Sequence, residues 1–468
     1  MAPGAQQKRL AGYLNGLAQA AGHVDREKPL KAYCTGLLLP GERKSVEPMA
    51  ARLAPDNVRR THQSLHHVVA EAPWSDEAVL RWVREYALAA MAEKEPVVAW
   101  VVDDTGFVKK GTHSVGVARQ YCGQVGKQEN CRVAVSLSVT TKTASLPVAW
   151  RLYLPESWAQ DPERREKTRV PDEIRFETKP TLAFQQIRWA VEEGLPGAPV
   201  LGDAGYGNDT RFREGLTAMS LPYVLGVASS TTVWKPGEEP LPRKNWSGRG
   251  RPPQRLQRDK DHRPVSVLAL AQELPTRAWK SLTWRQGTKH PLRSRFAALR
   301  VRPAHRDEKR TEPRAEEWLL IEWAKGEAEP TKYWLSTLPL DTKINDLVGL
   351  AKHRWIIERD YEELKQELGL GHFEGRGWRG FHHHATLCIA AYGFLVAERS
   401  RFSPSARAGQ LGLSLPKVPP RFRPRGAARP HRKAQSVVHH DVAHDDRANF
   451  TAAAEGLPLL RDATFITQ

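Results

Sequence analysis

Three observations predict an α/β fold, a mixed sheet flanked by helices, preceded by a helical segment and interrupted by a β-rich insertion. Residues 1–95 carry apolar positions at helical spacing, as in Ala78-Val-Leu-Arg-Trp-Val-Arg-Glu-Tyr-Ala-Leu-Ala-Ala90 behind the N-cap residue Ser75. From Pro96 the pattern changes to apolar runs of strand length. A basic, tryptophan-containing stretch then separates these strands from a last long helix. With 468 residues, 40 % hydrophobic and 26 % charged, the chain has material for two to four domains at ~100–200 residues each, and it is not disordered as a whole.

Val97-Val-Ala-Trp-Val-Val102 is a continuous apolar run, the mark of a strand buried on both faces. Cys131–Thr140 and Leu146–Leu154 follow as strands, then a helix over 181–193, a strand at Pro199–Gly202, a helix near 210–219 and a strand at Pro222–Val227. The order β-β-β-α-β-α-β is that of the RNase H-like fold. One helix is predicted over about 344–368. The expected division is a helical N-terminal domain (1–95), the first part of the core (96–228), a basic β-rich insertion (229–342), the second part of the core with the last helix (343–398), and a C-terminal tail (399–468).

The formal net charge is +18, and it is unevenly spread. Pro242 to Arg310 holds 19 Lys and Arg against 5 Asp and Glu, and Arg399 to His440 holds 10 Lys and Arg with no acid, so the rest is slightly acidic. Such basic segments point to a polyanionic partner. The second segment, rich in Pro, Arg, Ser and Gly without periodicity, reads as a disordered tail. Four scattered cysteines offer neither a zinc-ligand pair nor a disulfide scaffold. No apolar run approaches the ~20 residues of a membrane span, and the N-terminus has no signal-peptide core, which argues for the cytoplasm; charge alone leaves nucleic acid and a membrane surface both open, and the active-site reading favours DNA over a membrane.

Asp103 and Asp104 are expected at the end of the first strand and Asp203 at the end of the fourth, where acids of neighbouring strands converge. On the last helix, at ~100° per residue, Arg354, Glu358 and Lys365 share a narrow face. Three carboxylates are hard oxygen ligands for Mg²⁺ or Mn²⁺. Two such ions ~3.5–4 Å apart suit phosphoryl transfer on a nucleic-acid backbone, with Arg354 and Lys365 holding phosphate.

The spacing Arg354-x(3)-Glu358-x(6)-Lys365 resembles the Y-(2)-R-(3)-E-(6)-K signature of DDE transposases of bacterial insertion sequences. Asp103 in Val101-Val-Asp-Asp-Thr105 and Asp203 in Gly202-Asp-Ala-Gly-Tyr206 resemble that family's catalytic aspartates. The resemblance spans about 97–396 and implies a Mg²⁺-dependent enzyme that cleaves double-stranded DNA at terminal inverted repeats and joins the ends to target DNA. It further implies a homodimeric synaptic complex and a bacterial, nucleoid-associated location. The helical N-terminal domain falls where the family often has a DNA-recognition region. Ala351 departs from the signature's tyrosine, and Tyr361 is a substitute on the same face. Members with this signature use a flipped base stacked on an aromatic of the insertion, for which Tyr333 and Trp334 are the candidates.

Asp104 stays open as an alternative to Asp103 as metal ligand, the motif favouring Asp103. Lys109 and Lys110 are candidates for phosphate contact or for a solvated turn, and Arg376, Trp378 and Arg379 for tracking DNA or for simple surface. His382-His383-His384, ~100° apart on a helix, do not form a compact metal site. Two other functions compete with transposition: an RNase H-like endonuclease without strand transfer, and a non-catalytic transposase-derived DNA-binding protein.

Overall fold

The computed structural model describes residues 4–251, 253–286 and 291–402. Helices α1 (Ala5–Ala20), α2 (Val24–Leu38), α3 (Val46–Leu53), α4 (Val58–Ala70) and α5 (Asp76–Lys94) come first. The start of α5 follows its sequence: Ser75 Oγ accepts from Ala78 N, with Asp76 and Glu77 in the first turn and Lys94 in the last. Strands β1 (Ala99–Val108), β2 (Ala118–Cys122), β3 (Lys127–Thr140) and β4 (Ser145–Leu152) lead into helices α6 (Glu156–Ala159), α7 (Pro162–Thr168) and α8 (Lys179–Glu192). Then come β5 (Val200–Gly202), α9 (Ala204–Gly207), α10 (Thr210–Ala218) and β6 (Tyr223–Val227).

β3 is antiparallel to both β1 and β4, and β5 and β6 run parallel to β1 and to each other, so the core order is β4-β3-β1-β5-β6. This is the mixed sheet expected from the element order. Trp100, Val101 and Val102 are fully buried, as a strand covered on both faces requires.

Two boundaries differ from expectation. β1 does not end at the aspartates but continues to Val108, with Asp103 opposite Ser136 and Asp104 opposite Val135 on β3. Main-chain pairing with a long partner strand is indifferent to the charge of the side chains, so the acids do not stop it. β5, on the other side of β1, ends at Gly202, and the acids therefore still sit at an open strand end. β2 was not foreseen because Ala-Arg-Gln-Tyr-Cys has no apolar run.

The insertion contributes β7 (Thr232–Trp234), β8 (Val265–Ser266), α11 (Val267–Gln272), β9 (Lys280–Gln286), β10 (Pro291–Pro303), β11 (Glu317–Ala324) and β12 (Lys332–Ser336). Its antiparallel strands β10, β11 and β12 continue the core sheet, because β12 pairs with β6 from Tyr333↔Val227 to Ser336↔Val224. Among the described residues the two parts share a twelve-stranded sheet.

The long helix expected over 344–368 is two helices, α12 (Ile344–His353) and α13 (Trp355–Gln366). The ladder tightens at Arg354, whose carbonyl accepts from Ile357 three residues on. α14 (Trp378–Arg401) follows and is buried along nearly its whole length; α2, α4, α5 and β4 all pack on it. Gly393 permits the closest of these approaches, since a Cβ there would lie 2.6 Å from Val83 on α5. The helix reaches Arg401, so the expected tail boundary at 399 falls inside it. The remainder of that tail, from Ser403, lies outside the described residues. No helix among the described residues is long and apolar enough to cross a membrane.

His382, His383 and His384 face three different partners. His384 Nε2 donates to Gly369 O at 3.0 Å, so its Nδ1 accepts from the Tyr33 hydroxyl at 2.9 Å. His382 lies between Trp378 O and Leu152 N, and His383 stacks on Trp74 with ring centres 3.6 Å apart. Burial pushes His382 and His384 down from 6.5 to about 4. A depressed base stays neutral in the folded state while the unfolded chain takes up a proton, so stability is lost as pH falls from 6.5 towards 4. The expected slope is ~1.4 kcal/mol per pH unit for each of these histidines. Denaturant titrations across that window measure it, and the slope for His384→Gln should be smaller by about one proton.

Candidate active site

β1 and β5 run parallel with Trp100 opposite Val200 and Val101 opposite Leu201. Continuing that register past Gly202 sets Asp103 beside Asp203. Asp203 caps α9, its Oδ1 accepting from Gly205 N at 2.9 Å. The turn that presents it needs glycine on both sides. A Cβ on Gly226 of β6 would lie 3.0 Å from Ala204 N, and one on Gly207 would lie 1.9 Å from Gly226 O.

Asp103 lies largely buried, and the strand's alternation separates it from Asp104. Asp103 Oδ2 accepts from Arg354 Nη1 at 2.7 Å and its Oδ1 from Asp104 N at 2.8 Å. Asp104 instead pairs with Lys179 of α8 at 3.0 Å. Burial pushes Asp103 up to about 7; Arg354 opposes the shift, and Asp203 and Asp104 add to it. Burial also raises Asp104, against the pull of Lys179.

Arg354 reaches from the break between α12 and α13 and spans two acids, since its Nη2 also donates to Glu358 Oε1 at 3.2 Å. Arg354 and Glu358 thus share a face, as the helical spacing predicts. Lys365 comes two turns after Glu358, ~10 Å along the axis. It lies against β1, donating to Gly106 O at 2.8 Å with its ammonium 5.0 Å from the Phe107 ring centre. Burial lowers it to about 8. Tyr361 is buried, its hydroxyl 2.7 Å from that of Ser136, the residue opposite Asp103. It therefore lies on the same face of the sheet as Asp103. Ala351, at the signature's tyrosine position, is buried.

One residue with no motif to announce it is Asp360. Fully buried, its carboxylate accepts from Tyr392 of α14 at 2.8 Å and from Ser145 of β4. It pins the back of α13 while Glu358, half a turn earlier, faces the site.

Hard oxygen donors and a buried carboxylate in want of positive charge fit a divalent cation chemically. In this structure the guanidinium of Arg354 meets that want. Among the described residues no three His, Cys, Asp or Glu side chains stand close enough to hold one ion together. Asp103 and Asp203 are the neighbours fixed by sheet register, and Glu358 is held by Arg354.

The site opens into a cavity of about 950 Å³ between the insertion strands and α12–α13. Asp203, Arg354, Trp355 and Glu358 line it from the core and α13, and Trp284 and Arg285 from the insertion. Arg285 lies over the Trp355 ring at 3.5 Å, and Lys352 lies over Trp284 at 4.2 Å while pairing with Glu322 at 2.6 Å. Tyr333 and Trp334, the aromatics singled out from the sequence, touch this cavity but are buried at 2 % and 8 % exposure, and the Tyr333 hydroxyl donates to Pro330 O. Trp355 and Trp284 are the more open rings. Trp355 was not singled out from the sequence, where its place directly after Arg354 is the one available signal.

Lys109 donates to Phe373 O at 3.0 Å, and burial lowers it to about 8; Lys110 is exposed. Trp378 is buried, whereas Arg376 and Arg379 are exposed, the latter donating to Glu71 O.

Residues 16–291 match the family model described as DDE superfamily endonuclease, a stretch that contains Asp103 and Asp203 and stops short of Glu358. The chain is also 30 % identical over 205 residues to a probable transposase for insertion sequence element IS701 from Microchaete diplosiphon. That similarity covers 44 % of this chain and 48 % of the relative, so the chain spans about half of that protein's length. Since the family match takes in more than half of the chain and both strand-borne aspartates of the site, the chain belongs to the DDE superfamily endonucleases.

Proposed function

We propose that this protein is an insertion-sequence transposase, cleaving double-stranded DNA at terminal inverted repeats and joining the freed ends to target DNA. The single observation that carries the reading is the parallel register that sets Asp103 beside Asp203, with Arg354 bridging Asp103 to Glu358. The similarity to a probable insertion-sequence transposase supports it.

Asp103, Asp203 and Glu358 would hold Mg²⁺ or Mn²⁺, two ions per site, which supply the charge that activates an attacking oxygen and steadies the leaving one. Arg354 keeps Asp103 compensated until then. Once Glu358 is drawn away, its planar fork is free to take a phosphate oxygen pair. Lys365 adds a second cation near the strand that bears Asp103. Asp360 keeps α13 seated against α14 and β4, so that Glu358 and Arg354 meet β1 in a fixed geometry. Trp284 and Trp355 offer aromatic faces to an unpaired base, an interaction worth ~1–3 kcal/mol per base. Two protomers would bring two ends together.

The basic insertion supplies the phosphate grip. Arg243, Lys244, Arg249, Arg251 and Arg255 lie exposed on one loop.

Asp103→Asn and Glu358→Gln should each lower Mg²⁺-dependent cleavage of a labelled inverted-repeat end by more than ~100-fold, beyond the cost of an outer-shell change. Gel-shift binding of the same duplex should persist. Asp104→Asn, which loses only the Lys179 pair, should retain cleavage; survival of cleavage in Glu358→Gln would overturn the assignment. Joined product with a supercoiled target separates transposition from a nuclease that only nicks. Binding without cleavage in the native chain identifies a non-catalytic relative.

Replacing Arg249, Arg251 and Arg255 by Gln should flatten the slope of log K against log salt by ~0.9 for each phosphate that is no longer neutralised. An unchanged slope assigns the grip to another surface.

A further inference from the structure

Between β7 and β8 the insertion carries a loop whose base is closed. Leu241 N donates to Gln257 O at 3.0 Å and Gln257 N to Leu241 O at 2.8 Å, while buried Leu256 anchors the returning strand, its N donating to Arg310 O. From Pro242 to Leu256 the loop holds five Arg and Lys and no acid. Those five, Arg243, Lys244, Arg249, Arg251 and Arg255, are exposed, and among the described residues their side chains form neither a hydrogen bond nor an ion pair.

The tip reads Ser247-Gly-Arg-Gly-Arg251. Gly248 and Gly250 lie at φ +80° and +73°, the left-handed region that glycine enters without cost, and a Cβ on either would meet nothing within 4 Å. Trp246, 54 % exposed, braces the tip, its Nε1 donating to Gly250 O at 3.2 Å. Two arginines are thus held on a thin, open backbone with no side chain between them. The loop follows β7, four strands along the sheet from β6, or ~19 Å at ~4.8 Å per strand. It is rooted well away from the strand ends that bear Asp103 and Asp203.

We propose that the tip Arg249-Gly250-Arg251 enters the minor groove of A/T-rich duplex DNA. Resting on the reading of this protein as one that acts on DNA, this contact adds a groove and a base composition to a surface otherwise assigned only a grip on phosphate. An α-helix or a β-ribbon needs the major groove, ~12 Å wide, whereas the minor groove is ~6 Å wide. The tip is neither helix nor strand, and the glycine between its arginines lets the backbone approach the groove closely. The narrow minor groove of A/T tracts has an enhanced negative potential that draws arginine in. Adenine and thymine offer only acceptors there, which suit a guanidinium that can only donate, whereas guanine places a donating amino group in the groove. Arg243, Lys244 and Arg255, nearer the base of the loop, are left for the phosphates along the groove edges.

The test is equilibrium binding of the full chain, in EDTA, to three duplexes of one length whose central tract is A·T, G·C or inosine·cytosine. Inosine lacks the guanine amino group, so an I·C tract presents the minor groove of A·T and the major groove of G·C. The native protein should bind the A·T tract at least ~5-fold more tightly than the G·C tract, and the I·C tract should recover most of that difference. Exchanging Arg249 and Arg251 together for Lys keeps the charge and loses the planar forks, so it should bring the A·T and G·C tracts within ~2-fold of each other while binding to G·C holds. Both positions are exposed, and an unchanged thermal midpoint verifies that the variant is folded. Equal native affinity for A·T and G·C overturns the proposal, as does an I·C tract bound like G·C, or a preference that survives in the lysine variant. Absence of Mg²⁺-dependent nicking would count against the catalytic reading and would leave this metal-free measurement intact.

Discussion

The guanidinium of Arg354 ties together the parts of the site that come from distant stretches of sequence. It joins Asp103 on β1 to Glu358 on α13, 2.7 Å from one and 3.2 Å from the other. Asp103 has burial and two neighbouring acids against its charged form. Without a cation it would have to take up a proton, and breaking a buried pair of this sort costs ~3–5 kcal/mol. Placing the arginine at the interruption between two helices lets it reach the sheet while α13 carries on past it. The same contact sets α13 against β1.

Around that contact, the sheet determines what the site can face. Because β12 is hydrogen-bonded to β6, the insertion strands are held at a fixed angle to the core, and their tryptophans and arginines form the far wall of the cavity. A module attached only through loops would leave that wall to diffuse. α14 does the corresponding work behind the site. Asp360 and Tyr392 fasten α13 to it, while its three buried neutral histidines bind it to the N-terminal helices, β4 and the turn at Gly369. An apolar helix needs polar contacts to fix its rotation, and each histidine supplies one on a different side.

The parts legible in the sequence were those with local signatures. The buried start of β1 announced itself by the unbroken apolar run at 97–102, although the strand itself begins at Ala99. What stayed hidden depended on partners far away in the chain. β1 runs on through two aspartates because β3 is long enough to pair with it, and Arg354 at the break meets a residue 251 positions earlier. Asp360 looks like any acid on an amphipathic helix until Ser145 and Tyr392 are brought to it. Tyr333 and Trp334 were reasonable choices by position, but alternation along β12 does not reveal that both of its faces are covered.

Charge shows the same limit. The excess over 242–310 pointed to a polyanionic partner, yet much of it is internally engaged. Arg258 pairs with Asp307, Arg302 with Glu239 and Arg310 with Glu214, while Arg295 and Arg300 lie over Trp323 and Trp318. Those side chains hold the insertion together. An ion pair already made within the protein releases few counterions when DNA arrives, so the cations that count towards binding are those with no internal partner. On the insertion the exposed residues Arg243, Lys244, Arg249, Arg251 and Arg255 are among these. The formal charge of a segment therefore overstates its grip on a polyanion, because cations already paired within the protein add little to it.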